Sequence, residues 1–378
     1  MDLLQHKFWK RKDLLSLLLI WLIVQTCLLF TYGIKTDGEG LRVISEANKW
    51  IASGKFSSPL FNMYLTEISL VILKLKLNIG FGFIIAIHLI LNLIALLVLY
   101  KFLISLYTSN KIALAGCLLL AICFPYQSYN TFIYTESIFF SLSIIYSCYL
   151  LTIKKYTGYK ILVQLILLVA LCLTRPSGIF FIAATIIYLY FYLLKDLKPV
   201  TRAMLFTFLS IIALTILNFA IGLGGGIDIL LPFKDERIIC DVPTLDYEVN
   251  IKTQGNGNSL YGLGYYVTHN FSQFSRLALL KSQAFFGLTR PYYSTFHNFF
   301  LQFFFYSLYV LTLISMILFK SKTPFAYIYI ISLALIYWIS VVLSCDEWHN
   351  RFFLTLTPFF ITSALYLFTK TKKDHALK

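Results

Sequence analysis

Charge is what this sequence has least of. Of its 378 residues only 13% are Asp, Glu, Lys or Arg, about half the share of an ordinary soluble domain, while 59% are apolar. That balance excludes a soluble globular fold and points to a polytopic membrane protein. Acidic residues are the scarcer sign, 17 against 32 basic ones, which leaves a net charge of +15. The excess does not make a nucleic-acid binder, because the lysines sit in short connectors between apolar runs, where the positive-inside bias puts them. No G-x-G-x-x-G and no phosphate loop occurs, so the usual nucleotide-binding turn is absent. The seven cysteines include no C-x-x-C and no Cys/His spacing of a zinc site. Cys27, Cys117, Cys123, Cys148 and Cys172 lie in apolar runs as small core residues; Cys240 and Cys345 fall in loops, where they either pair in an oxidising compartment or stay as thiols. The tripeptide Thr-Arg-Pro occurs twice, but no longer period accompanies it.

What the sequence does have is long apolar runs. Residues 14–34 are long enough, at about 1.5 Å per residue, to cross a hydrocarbon core of roughly 30 Å. Lys7, Lys10, Arg11 and Lys12 precede this run and no small-residue cleavage pattern follows it, which predicts an uncleaved helix with a cytoplasmic N-terminus. Further runs at 81–103, 111–126, 137–153, 158–174, 178–194, 203–223, 298–319, 324–343 and 352–369 bring the expected total to ten crossings. Both termini then face inward, and the whole chain forms one all-α transmembrane domain. Two polar intervals lie outside: a first loop over 35–80 and a large one over 224–297. Within the first, Leu41, Ile44, Ala47 and Ile51 recur at helical spacing opposite Arg42, Glu46 and Lys49, which predicts an amphipathic helix in the membrane interface. Gly54 to Pro59 breaks it, and a second helix over 59–77, with Glu67, Lys74 and Lys76, is placed in the interface too. Sending that helix across the bilayer would turn the Lys-rich connectors outward. In the large loop, 267–286 reads as another surface helix with Phe271, Phe274, Ala278 and Lys281 to one side.

Under this topology the two basic residue types separate. Most lysines are inside, whereas six of the eight arginines (Arg42, Arg175, Arg237, Arg276, Arg290 and Arg351) are outside. A planar guanidinium grips phosphate in two places, so the outer face is the expected working face. Asp37 and Glu39 stand where the chain leaves the first helix. The stretch FPYQSYNTFIYTES has Pro125 to break a helix and Thr135, Glu136 and Ser137 to open the next; a capping role also suits Glu136. Arg175, in LTRPSG, needs either an anionic partner or a route to lipid headgroups. Asp346, Glu347 and His349, in CDEWHN, are candidate ligands for a divalent metal, but adjacent residues lack the spacing of a helical site, and a metal is not favoured.

These motifs, in this order, resemble the GT-C superfamily of membrane glycosyltransferases that use polyprenyl-phosphate-linked sugars, a group that includes protein O-mannosyltransferases, lipid A aminoarabinose transferases and GPI mannosyltransferases. The matching pieces are TDGEG after the first helix, the paired surface helices with their GKFSSP turn, YTES before the fourth helix, LTRPSG after the fifth and RFFLTLTPFF near the end. The chain departs from the protein mannosyltransferases in that Asp37 is followed by Gly38 and only then by Glu39. The resemblance implies hexosyl transfer with inversion from a polyprenyl-phosphate donor to a hydroxyl on a protein, lipid or lipid-linked glycan. Asp37 is then the base, Glu39 its neighbour or substitute, and Arg175 the leading phosphate ligand with Arg290 and Arg351 in reserve. Glu136 and Tyr134 place the acceptor or orient Asp37. Such chemistry needs positive charge at the leaving phosphate and no obligatory cofactor. A bacterial cytoplasmic membrane with an outward site is expected, or the endoplasmic reticulum, where Asn270 in Asn-Phe-Ser is a glycosylation acceptor. Two other classes fit the same layout: an outer-leaflet polysaccharide polymerase or ligase worked by the 224–297 loop, and a lipid-linked-sugar flippase or transporter using His88, Asn92 and Asn218.

Overall fold

The structure is a computed structural model that describes residues 11–194, 197–223, 228–240, 242, 249–254, 258–318 and 325–369. The helices run in chain order as α1 (Arg11–Tyr32), α2 (Glu39–Ser53), α3 (Leu65–Leu77), α4 (Gly82–Tyr107), α5 (Asn110–Ile122), α6 (Phe124–Gln127), α7 (Glu136–Thr152) and α8 (Gly158–Cys172). They continue as α9 (Ile179–Leu193), α10 (Pro199–Leu223), α11 (Leu231–Lys234), α12 (Leu260–His269), α13 (Phe271–Gly287), α14 (Thr295–Leu318), α15 (Phe325–Leu343) and α16 (Arg351–Leu365). Among the described residues there are isolated β-bridges and no strand. The protein is an all-α polytopic membrane protein.

Among the described residues six helices are long and apolar enough to span, and a bent pair, Asn110–Ile122 with Phe124–Thr131 at 64°, makes a seventh if taken as one. The bend sits at Pro125, whose ring removes the N–H that a continuous helix would need. Helices α7 and α8 are apolar but have 17 and 15 residues, about 25 and 22 Å at helical rise, at the lower end of what a spanning helix needs.

Two compact units divide the chain. The first is drawn from Met1–Ile182, Leu308–Thr323 and Leu354–Lys378, the second from Ala183–Ser307 and Pro324–Phe353. In the first, α2, α3 and the start of α4 close over a core of Val43, Ala47, Phe61, Ile68, Val71, Ile84 and Ile85, which also takes Ile133 from the chain before α7. This rotates α2 from its expected orientation: Val43 and Ala47 are the packed residues, whereas Leu41 and Ile51 are exposed. The reason is Glu46. Assigned to the polar side by its charge, it is buried, because Lys49 Nζ at 2.7 Å, Ser57 N–H at 2.9 Å and Ser57 Oγ at 2.8 Å all donate to its carboxylate. Burial pushes that carboxyl up, but these donors outweigh it and leave it below the usual range. Gly54, in the left-handed region at φ 68°, ends α2 and lets the GKFSSP turn fold back onto Glu46.

In the second unit, α11, α12 and α13 enclose Leu230, Phe233, Ile251, Tyr266 and Leu277. The single surface helix expected over 267–286 is two helices meeting at Asn270, whose side chain donates to the carbonyls of Lys252 and Tyr266 and accepts from Lys252 N–H. Lys281, expected to lie alongside Phe271 on one surface face, is fully buried, with Nζ 4.0 Å from the centre of the Phe233 ring, whereas Phe271 is exposed. Cys240 and Cys345 form a disulfide across 105 residues, and the backbone beside it is tied by Cys240 N–H to Asp346 O and Asp346 N–H to Ile238 O, each at 2.8 Å.

Candidate functional site

The site is assembled in the first unit from three polar connections and two helices. Leaving α1, the chain docks on the stretch before α7: Lys35 N–H donates to Thr131 O at 3.0 Å and Ile133 N–H to Lys35 O at 2.9 Å. Tyr134 then reaches across, its hydroxyl donating to Asp37 O at 3.1 Å. Gly38 is required at this crossing. It has φ 55°, and a Cβ on it would come within 2.7 Å of the Tyr134 hydroxyl. The Asp37 carboxylate is exposed, 4.0 Å from Lys35 Nζ. Glu39 is the first residue of α2, where the helix dipole favours a negative charge.

Two residues beyond Tyr134 the chain enters the interior. Glu136 opens α7 and is fully buried, with its carboxylate ion-paired to the guanidinium of Arg175, itself 5% exposed. Arg175 Nη1 also points at Thr135 Oγ1, 3.4 Å away. The anionic partner that Arg175 needs is therefore Glu136, 39 residues earlier in the chain. Arg175 is held extended at the corner between α8 and α9. Gly178 permits that corner, since a Cβ there would lie 2.6 Å from Leu171 O. Neighbouring Thr174 receives the Thr66 hydroxyl at 3.1 Å, and Thr66 N–H donates to Leu173 O at 3.4 Å, which fastens the start of α3 to the corner.

Next to Thr66 stands Glu67, whose charge predicts a place in the membrane interface. Glu67 is fully buried and lies 3.0 Å from Nε2 of His88 on α4, which is fully buried too. Burial pushes the Glu67 carboxyl up; His88 opposes this, and the charge of nearby Glu136 adds to it. Glu67 Oε1 and His88 Nδ1 are buried with no hydrogen-bond partner. The four groups thus form two adjoining pairs in a region where uncompensated charge is costly. A neutral network continues from them: Ser137 Oγ donates to Asn130 Oδ1 at 2.7 Å, Asn130 Nδ2 to Gln127 Oε1 at 3.0 Å, and Gln25 Nε2 to the same Gln127 oxygen at 2.8 Å. On α4, Asn92 Oδ1 accepts from Trp21 Nε1 at 2.8 Å. The signal for all of this was present as Gln25, His88, Asn92 and Gln127, polar residues inside or beside apolar runs.

The remaining site residues of the sequence reading lie in the second unit, where they form their own cluster. Arg290 is buried, ion-paired to Asp346, and donates to the carbonyls of Ala284 at 3.0 Å and Thr289 at 3.1 Å. Burial pushes the Asp346 carboxyl up to about 6, against the opposing pull of Arg290. Arg351 is 3.4 Å from Glu347, and His349 Nδ1 is 3.3 Å from the Tyr293 hydroxyl. Asp346, Glu347 and His349 are thus each turned to a different partner, and among the described residues no three His, Cys, Asp or Glu side chains converge to hold a metal. Asn218, a carrier candidate, accepts from Leu260 N–H at 2.8 Å and so holds the start of α12. Compared with known proteins, the chain matches no family model, no curated protein and no solved structure.

Proposed function

We propose that the protein is a membrane glycosyltransferase of the GT-C kind, which moves a sugar from a polyprenyl-phosphate donor to an acceptor hydroxyl on the outer side of the membrane. One observation carries the reading: the segment from Tyr134 to Glu136 touches the Asp37 loop at one end and holds Arg175 at the other. A candidate base and a candidate phosphate ligand are thereby coupled through three consecutive residues. In the reaction, an oxygen of the acceptor attacks the anomeric carbon as the bond to the donor phosphate breaks. Asp37 takes the acceptor proton, and the departing phosphate carries away the bonding pair, its charge offset by Arg175. Exposure suits Asp37 to this task because the acceptor must reach it from outside. Arg175 must exchange part of its contact with Glu136 for phosphate, so Glu136 tunes how readily the guanidinium turns. The ten-crossing topology belongs to this reading, with α7, α8 and α10 joining the longer spans. The disulfide agrees with an outward second loop, since such bonds persist in oxidising compartments.

The test is transfer by purified protein in vesicles supplied with polyprenyl-phosphate hexoses and a hydroxyl acceptor. Asp37→Asn is expected to lower the rate by about 10²- to 10⁴-fold, the usual weight of a general base, while folding is retained. Unchanged transfer would remove Asp37 from the mechanism. A second reading, a proton-coupled carrier of lipid-linked sugars, is favoured by the buried Glu67–His88 pair. It predicts instead that the donor crosses the bilayer intact, with proton movement and no transfer.

A further inference from the structure

The two adjoining pairs of the first unit differ in how they balance charge. Glu136 and Arg175 cancel each other. Glu67 and His88, at 3.0 Å, are neutral together only while they hold one proton between them, whichever of the two carries it. Without it, one net negative charge is buried at zero exposure. Now consider an anion at Arg175. A phosphate that draws the guanidinium away from Glu136 leaves that carboxylate less compensated, and Glu67 feels its charge, standing next to Thr66, which is bonded to Thr174 beside Arg175; neighbouring buried carboxylates resist being ionised together.

We propose that Glu67, held by His88, is a positioning residue that couples phosphate binding at Arg175 to a proton: when a lipid phosphate engages Arg175, the Glu67–His88 pair takes up one proton. This rests on the reading of Arg175 as the phosphate ligand. The proton comes from solvent and no covalent bond changes. The unpartnered Glu67 Oε1 and His88 Nδ1 are the atoms able to receive it. Several other charged groups on the elements packed around α3 are engaged elsewhere. On α2, Glu46 binds Lys49, and Arg42 lies over the Phe61 ring; on α3 itself, Lys74 lies over Phe81 and Lys76 over Trp50. On α4, Lys101 is far along the helix from His88, and Glu136 is the only charged residue of α7. The raised carboxyl of Glu67 agrees with a group that gains a proton once a further negative charge arrives.

A ligand that prefers the protonated pair binds more weakly as pH rises, by up to about tenfold per pH unit where one whole proton is linked. The measurement is isothermal titration of the full-length protein in lipid nanodiscs with polyprenyl methyl phosphate, a diester that does not itself titrate near neutral pH. Running it in buffers of different ionisation enthalpy gives the number of protons exchanged. The wild type is expected to take up as much as about one proton per ligand bound. Glu67→Gln, which keeps a hydrogen-bonding side chain beside His88, is expected to bind the diester with no uptake and with a pH-independent Kd; His88→Gln provides a second variant. A purely structural Glu67 would leave the proton count unchanged, so binding through Arg175 with no uptake by the wild type, or equal uptake by Glu67→Gln, overturns the coupling alone. Failure of the diester to bind, or equal binding by Arg175→Met, overturns the phosphate reading and the coupling with it. Because proton uptake is read first on the wild type, an unstable variant does not rescue the proposal.

Discussion

At the scale of single residues, this protein is governed by where it buries charge. Lys281 is the plainest case. Its ammonium has the Phe233 ring 4.0 Å away and no hydrogen-bond partner, and burial lowers it to about 7. The ring returns roughly 0.5–2 kcal/mol, less than the desolvation of a buried cation takes away. Since the unfolded chain binds its proton up to about 10.5, the penalty grows as pH falls from there to about 7 and is complete below. Lys281→Met is therefore expected to stabilise the protein by about 1–3 kcal/mol at neutral pH, a gain that shrinks on raising the pH toward 10. Melting curves of the two proteins in detergent across that range test it; a destabilised variant would show that Lys281 has a use. For Arg175 and Glu136 the opposite holds, because each is the other's compensation. Glu136→Gln or Arg175→Met alone is expected to cost about 3–5 kcal/mol, and the double substitution to recover most of it. Additive losses in a double-mutant cycle would contradict the pairing.

At the scale of elements, close backbone approach sets the site. The corner between α8 and α9 brings Gly178 against Leu171 O, with only 2.6 Å available to a Cβ. Gly178→Ala is expected to destabilise by about 1–3 kcal/mol and, on the proposed reading, to weaken sugar transfer by displacing Arg175, readable as lower melting temperature together with lower transfer. An alanine variant with full activity would mean that the corner bends without moving the guanidinium. Helix α2 carries the complementary lesson. Its period is legible in the sequence, but its rotation is not, since Glu46 becomes an interior residue only after the GKFSSP turn supplies Ser57. Likewise the helix expected over 267–286 has the right content and the wrong continuity: Asn270 satisfies Lys252, a residue outside any helical pattern.

At the scale of the molecule, a loop-closing bond is the largest covalent constraint. The Cys240–Cys345 disulfide joins two positions of the second unit that are 105 residues apart in the chain. Cys240→Ser is expected to lower stability by about 2–5 kcal/mol, with reducing agent producing the same loss in the wild type and none in the variant. Insensitivity of the wild type to reductant would argue against the bond. The span count shows how far patterning reaches over the whole chain. Every expected crossing coincides with a helix, because apolar content and helical period suffice to locate one. Whether a helix reaches across depends on where it starts and stops, and α7 begins only at Glu136, after the chain has turned inward to meet Arg175.

The sequence by itself determined the class: with so little charge and such long apolar runs, no water-soluble arrangement could satisfy this chain, and a membrane-embedded set of helices follows from composition alone. It also marked Arg175 as a residue in need of a counter-charge or a route to lipid headgroups. Only the tertiary structure decided that the counter-charge is Glu136, that Glu67 and His88 adjoin it, and that Asp37 is tied to the same segment. The physical reason is distance along the chain. Helical periodicity couples residues three or four apart, whereas these partners are separated by 21 to 97 positions and meet only when the helices pack.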